Sequence, residues 1–305
     1  MNTERYTVEE DGIRIDRWLS ERSGLSRSRI QMLADEGRIC VNGKPVRSSY
    51  KVCADDEILM EVTDNESLDV LPEDIPLNIL YEDHDLLVVN KPKGMVVHPA
   101  PGVSTGTLVN AVLFHCNDLS GINGVLRPGI VHRIDKDTTG CIIVCKNDAS
   151  HERIAEQLAD KTCHREYLAL VKGVIREDSG MIDAPIGRDA RDRQRMCVTE
   201  KGGRAARTRF KVLERFKDCT LVECALETGR THQIRVHMKY IGHPVIGDTK
   251  YYHACRLMDT QGQVLHAERI SFVHPATGEP MNFEAPLPDY FEQLLNRLRE
   301  GIGVE

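Results

Sequence analysis

Polar and apolar positions divide the chain into short helices and strands. IDRWLSERSG places Ile15, Trp18 and Leu19 at helical spacing. SRSRIQMLADEG repeats the pattern, with Ile30 and Leu33 as its inner stripe, Ser26 or Ser28 as its cap and Gly37 as its stop. RICVNGKPV reads as a strand, an Asn42-Gly43 turn and a second strand, because Asn-Gly tolerates the positive φ of a tight hairpin. KVCADDEILMEV adds a final strand, so residues 13–62 are predicted to form one compact unit. Residues 63–76, TDNESLDVLPEDIP, are acidic, carry two prolines and show no period, which predicts a linker.

A second domain is predicted from 77 to 290. Strand-like DLLVVNKP, CIIVCKN, REYLALVKG and CTLVECALE mix with helix-like GTLVNAVLFH and HERIAEQLADK. Several strands follow one another with no helix between, which predicts an α+β domain with a mixed, largely antiparallel central sheet flanked by helices. In LETGRTHQIRVHMKYIGHPVIGD, Gly229 marks a turn and Thr231 can cap a helix. Ile234, Met238 and Ile241 form a buried stripe, and Gly242 and Pro244 stop the helix. His232, Arg235 and Lys239 share a second face. Arg235 lies close enough to the core to need an anionic partner, since an unpaired buried charge is costly. Asp135, at the mouth of the apolar run CIIVC, is the candidate.

Composition narrows the classes. The chain has 305 residues, enough for two domains, with 41% hydrophobic and 29% charged residues, as in ordinary globular proteins. No apolar run approaches the roughly 18 residues of a membrane span. The polar N-terminus does not resemble a signal peptide, so a cytoplasmic location is expected. Ten cysteines without a Cys-x-x-Cys pair suggest reduced, mostly buried thiols rather than a zinc site or disulfide framework. A net charge of −7 argues against a generic polyanion binder. Between Arg188 and Lys211, however, nine basic residues face three acidic ones, a local stripe fit to steer nucleic acid. No phosphate loop, dinucleotide fingerprint or metal-ligand cluster occurs, so neither a cofactor nor a metal is implied. His98, His132, His232 and His237 need no metal to explain them. Nothing suggests an obligate dimer, and a monomer is expected.

The segment 13–62 resembles the S4-like RNA-binding domain, through SRSR (Ser26, Arg27, Ser28, Arg29) and VNG (Val41, Asn42, Gly43). This implies RNA contacts at Arg27 and Arg29, early on a helix where free N–H groups also meet phosphate, and at Lys44 on the hairpin. KPKGMVVHP (91–99), HRIDKDTTG (132–140), REYLALVKG (165–173) and LETGRTHQIRVH (226–237) together resemble pseudouridine synthases of the RluA/RluD type. Ile134 and Thr139 stand where leucine and serine are commoner. The resemblance implies that Asp135 is the catalytic aspartate, Tyr167 the aromatic residue against the target base and Arg235 the cation paired with the aspartate. It also implies that Arg133 holds the flipped nucleotide or fills its vacated place. Arg204 and Arg207, in the basic stripe, are further RNA-binding candidates. The implied reaction breaks the bond from ribose to uracil N1, turns the base and rebonds it through C5. It requires an ionised carboxylate, whose free pKa of about 3.9 burial would raise unless a cation opposes it.

The implied substrate is structured RNA, a stem-loop of large-subunit (23S) ribosomal RNA in the RluD branch and transfer RNA elsewhere in the wider family. Two other classes compete. A glycosidase would need two cooperating carboxylates around one bond and would release free base. A noncatalytic S4-type ribosome assembly factor would tolerate Asp135→Asn.

Overall fold

The computed structural model describes residues 2–304 apart from 24, 26, 63–69, 101–102, 117–118, 121–127 and 253–258, and apart from the side chains of 2, 28 and 29. It divides into two compact units, Met1–Asp69 and Val70–Glu305.

The first unit runs β1 (Asn2–Thr7), α1 (Ile15–Arg22), α2 (Arg27–Asp35), β2 (Ile39–Val41), β3 (Lys44–Pro45) and β4 (Glu57–Val62). The sheet order is β1-β4-β2-β3. Asn42 and Gly43 have φ of 50° and 77°, the left-handed pair that an Asn-Gly hairpin turn uses. Ile15, Trp18, Leu19, Ile30 and Leu33 pack on Ile39, Ile58 and Met60. β1 was not anticipated. NTERYT lacks clean alternation, and its strand form comes from antiparallel pairing with β4, where Tyr6 faces Ile58. The helix over 27–35 encloses Ser28 rather than being capped by it, and Ser26 lies outside the described residues.

The second unit begins inside the segment expected to be a linker. Val70 is buried, Glu73 N–H donates to the Asn110 carbonyl, and the Asn110 side chain donates to the Leu71 carbonyl. Its elements are β5 (Ile79–Glu82), β6 (Leu86–Lys91), α3 (Leu108–His115), β7 (Thr139–Cys145), α4 (Asp148–Asp160), β8 (His164–Lys172) and β9 (Ser179–Asp183). There follow β10 (Ile186–Arg188), β11 (Met196–Val198), β12 (Arg207–Arg215), β13 (Cys219–Leu226), α5 (Gln233–Tyr240), β14 (Leu265–Val273), β15 (Pro280–Glu284) and α6 (Asp289–Arg299).

The main sheet runs β5-β6-β7-β14-β8-β13-β12-β9, with β15 on β14. Only the β7–β14 ladder is parallel among its pairings, so the sheet is mixed and largely antiparallel, as expected. Every residue of β7 is buried, which is why TGCIIVC reads as an unbroken apolar run. The domain does not end at 290. Phe291, Leu294, Leu295 and Leu298 of α6 pack on Leu168, Leu170 and Leu221. Among the described residues, no cysteine is joined in a disulfide.

Gly140 fixes where β7 begins. Its φ is +107°, and a Cβ there would lie 2.1 Å from the Ala267 carbonyl oxygen of β14. Glycine is therefore required for the parallel approach, and the loop before it reaches a cavity shared with Arg165 and Tyr167 of β8 and the start of α5.

Candidate active site

The loop 132–138 is pinned at several points before β7 begins. Thr138 N–H donates to the Asp135 carbonyl, closing a tight turn. Ile143 N–H donates to His132 Nε2. The Lys91 ammonium, with no exposure at all, donates to the carbonyls of Pro92, Met95 and Lys136 at 2.7, 2.8 and 2.9 Å. Burial lowers the Lys91 pKa to about 7, against the pull of Asp137 and Asp135. The ammonium has as many donors as it has carbonyls to satisfy, and it ties the residue after Asp135 to the start of KPKG. Nothing in the motif KPKGMVVHP by itself signals this role for Lys91.

The structure brings Asp135, Tyr167 and Arg235 to one cavity, also lined by Arg133, Arg165, Arg230 and His232. A second cavity shares Asp135, Arg133, His232 and Arg235 and adds Lys136 and Lys250. Arg235 Nη1 donates to Asp135 Oδ2 at 2.8 Å. The partner expected from sequence is therefore present, but it is not the principal one. Asp248, with no exposure, accepts from Arg235 Nε at 2.6 Å and from Nη2 at 2.7 Å. The same carboxylate accepts from Lys250 N–H and Tyr251 N–H. This two-point clamp leaves one edge of the guanidinium for Asp135, fixing its direction. Asp248 closes the quoted stretch HPVIGD, and the signal that could have found it is the excess need of a buried arginine for anions.

Burial drives the Asp135 carboxyl upward, but His232, Arg235 and Arg133 together hold it below the ordinary carboxylate range. Burial lowers His232 to about 4 against the pull of Asp135, so the imidazole is uncharged at neutral pH and the stabilising cation there is Arg235. Burial opposes the charge on Arg235, yet Asp248 and Asp135 outweigh it and raise its pKa. His232, which the sequence does not single out, has Nε2 4.0 Å from Asp135 Oδ1. It takes a left-handed φ of 58° at the N-cap of α5, in place of the expected Thr231 cap. Its Nδ1 pairs with the Tyr251 hydroxyl at 2.8 Å. α5 is buried on more faces than one stripe implied: Gln233, Val236 and His237 are inside as well as Ile234 and Met238.

The expected RNA-facing cations differ in how free they are. Arg133 is exposed at the mouth of both cavities. Lys44 and Arg204 are exposed. Arg27 is 51% exposed but ion-paired at 3.2 Å to the fully buried Asp16, which also binds Arg14 and Gln31. Arg207 pairs with Asp183 at 2.8 Å, Arg209 with Glu227 at 2.8 Å and Arg195 with Asp192 at 3.2 Å. Three of the nine basic residues of the stripe are thus locally neutralised by acids on the facing strand or in its own turn. The Arg29 side chain lies outside the described residues.

A carboxylate kept ionised by a clamped arginine thus lines an arginine-rich pocket beside a buried tyrosine, an arrangement suited to an enzyme acting on a polyanion. The sequence model for RNA pseudouridylate synthase matches residues 85–240, and that for the S4 domain matches residues 13–58. RNA pseudouridine synthase YlyB of Bacillus subtilis is 56% identical over 293 residues, covering 96% of each chain. Ribosomal large subunit pseudouridine synthase D of Zymomonas mobilis is 43% identical over 314 residues, covering 98% of each. The solved human RNA pseudouridylate synthase domain containing 4 superposes with a TM-score of 0.57 at 25% identity, covering 73% of this chain and 93% of that one. The chain belongs to the RNA pseudouridylate synthase family and carries an S4 domain at its N-terminus. Among the described residues, no helix is long and apolar enough to cross a membrane.

Proposed function

We propose that the chain isomerises uridines in large-subunit ribosomal RNA, with Asp135 as the catalytic carboxylate. The observation that carries the assignment is the Asp248–Arg235–Asp135 chain of ion pairs, which supplies an ionised carboxylate at the floor of a pocket able to take a nucleotide out of its stack. Tyr167, 5% exposed, packs against the base, and Arg133 at the mouth holds the displaced nucleotide or its vacated place. Lys44 and Arg204, with Arg27, Arg29 and Arg207, meet the surrounding RNA. The ribosomal substrate is supported by relatives named ribosomal large subunit pseudouridine synthase D, and a cytoplasmic, monomeric enzyme is proposed with it. A glycosidase reading fails on the second carboxylate, because Asp248 is fully buried and committed to Arg235.

The test is tritium release from RNA labelled at C5 of uridine, with a large-subunit ribosomal RNA transcript and a transfer RNA pool as substrates. Release from the ribosomal transcript alone is expected. Release from transfer RNA alone reassigns the substrate, and binding without release from either makes the chain an assembly factor. Binding is expected to weaken steeply with salt, by about tenfold or more between 50 and 200 mM, because it rests on arginine–phosphate contacts in a protein of net charge −7. A filter-binding titration showing a flat salt response contradicts this.

A further inference from the structure

The ion-pair chain has a charge deficit. Arg235 serves two carboxylates with its Nε, Nη1 and Nη2 all committed, so the Asp248–Arg235–Asp135 group carries net −1. His232 adds no charge at neutral pH. In the reaction of the proposed function, the electron pair of the C1′–N1 bond leaves with N1 and makes the uracil an anion. That pair returns to C1′ through C5, whatever group met C1′ in between is displaced, the C5 proton departs to solvent, and N1 takes up a proton in its place. A second negative charge must therefore exist for a time beside a site that is already negative, and it needs a cation that the ion pairs have not consumed.

Three arginines besides Arg235 line the cavity. Arg133 is exposed at its mouth, and Arg230 donates from Nε to the Ala205 carbonyl. Arg165 is different. It is half-buried, and its Nε is fully buried without a hydrogen-bond partner. A buried charged donor without an acceptor is expensive and persists where a ligand supplies the acceptor. The strand geometry directs it: Arg165 and Tyr167 alternate onto the same face of β8, while Glu166 between them pairs with Arg269 on the other face. The loop before α5 leaves room for it. A Cβ on Gly229 would come within 3.0 Å of Arg165 Nη1.

We propose that Arg165 is a catalytic residue that donates to the uracil ring and stabilises the negative charge the base carries once it is detached from the ribose. The proposal rests on the reaction assigned above. Arg165 keeps its proton throughout, and its role is electrostatic.

The leaving ability of the base provides the test. Fluorine at C5 withdraws charge from the ring, so a 5-fluorouracil anion depends less on an external cation. Single-turnover loss of the intact target nucleoside is followed by nuclease digestion and mass spectrometry, with uridine or 5-fluorouridine at the target. Native protein, Arg165→Met and Arg165→Lys are compared. For uridine, Arg165→Met is expected to slow turnover about 10²-fold, with the RNA Kd within about threefold of native. With 5-fluorouridine the loss shrinks about tenfold, and Arg165→Lys recovers most of the native rate on both bases. Equal loss on both bases, or a loss carried by Kd alone, overturns the role. Arg165→Lys falling as far as Arg165→Met, with both melting like native, overturns it too. Native protein inert on either base overturns the underlying reaction instead, and the proposal with it.

Discussion

Asp135→Asn is expected to abolish tritium release, by about 10⁴-fold or more, while RNA affinity and stability change little. The amide keeps the shape of the side chain and can still accept from Arg235 Nη1, but it can neither attack the sugar nor take a proton from it. Stability should fall by no more than about 1 kcal/mol, because Arg235 keeps its two bonds to Asp248 and the amide oxygen still accepts from Nη1. The ionisation argument also sets the sign of the pH response. The folded pKa of Asp135 is depressed, so its contribution to stability is complete above its unfolded value of about 3.9 and is lost as pH falls through the folded value. Turnover limited by this carboxylate should therefore show no acid limb above about pH 5. A limb centred near 6 that disappears in no variant of Asp135 would assign the essential ionisation to another group. Filter binding, thermal melting and the tritium assay on one preparation separate these outcomes.

Asp248→Ala should behave in the opposite way, losing stability first and activity with it. The wild-type carboxylate has no exposure and holds both Nε and Nη2 of Arg235, together with two backbone N–H groups. Its removal leaves a 5%-exposed guanidinium with Asp135 alone, at a cost of about 3–5 kcal/mol. That is a large part of a typical folding free energy of about 5–15 kcal/mol. Arg235 would also be free to swing, so the part of the population that stays folded should turn over slowly. Asp248→Asn, which preserves one acceptor oxygen, should fall between alanine and native in both respects. Denaturant unfolding of the three proteins checks the order. A native-like midpoint for Asp248→Ala would mean that Asp135 alone can compensate the buried cation.

The site was legible to unequal depth. Asp135 and Arg235 could be brought together from sequence because each is conspicuous by itself: a carboxylate at the mouth of a buried strand, and a cation close to an apolar stripe. Asp248 was not legible, since HPVIGD gives no sign that its last residue turns inward thirteen positions after the arginine it clamps. His232 escaped for a related reason. Its place beside Asp135 depends on a left-handed backbone that no histidine advertises. In the fold, strong periods located the helices and the apolar strands, whereas β1, stabilised by its pairing with β4, and α6, beyond the expected boundary at 290, depend on neighbours remote in sequence. The basic stripe shows the converse error. Counting charge along the chain does not register Asp183 or Glu227, which lie across the sheet and absorb Arg207 and Arg209.

The parallel junction at Gly140 has a consequence for biosynthesis. Thr139, four residues after Asp135, bonds His266 at 2.8 Å across 127 residues of chain, and β14 completes the wall beside it. Contacts so distant in sequence close late, because the intervening loop must be organised before they return free energy. A growing polypeptide emerging from the ribosome presents its S4 domain early and its Asp135 loop long before β14 exists to seat it. An enzyme of this design is expected to hold RNA before it can act on it, and to become competent only when nearly the whole chain has been made.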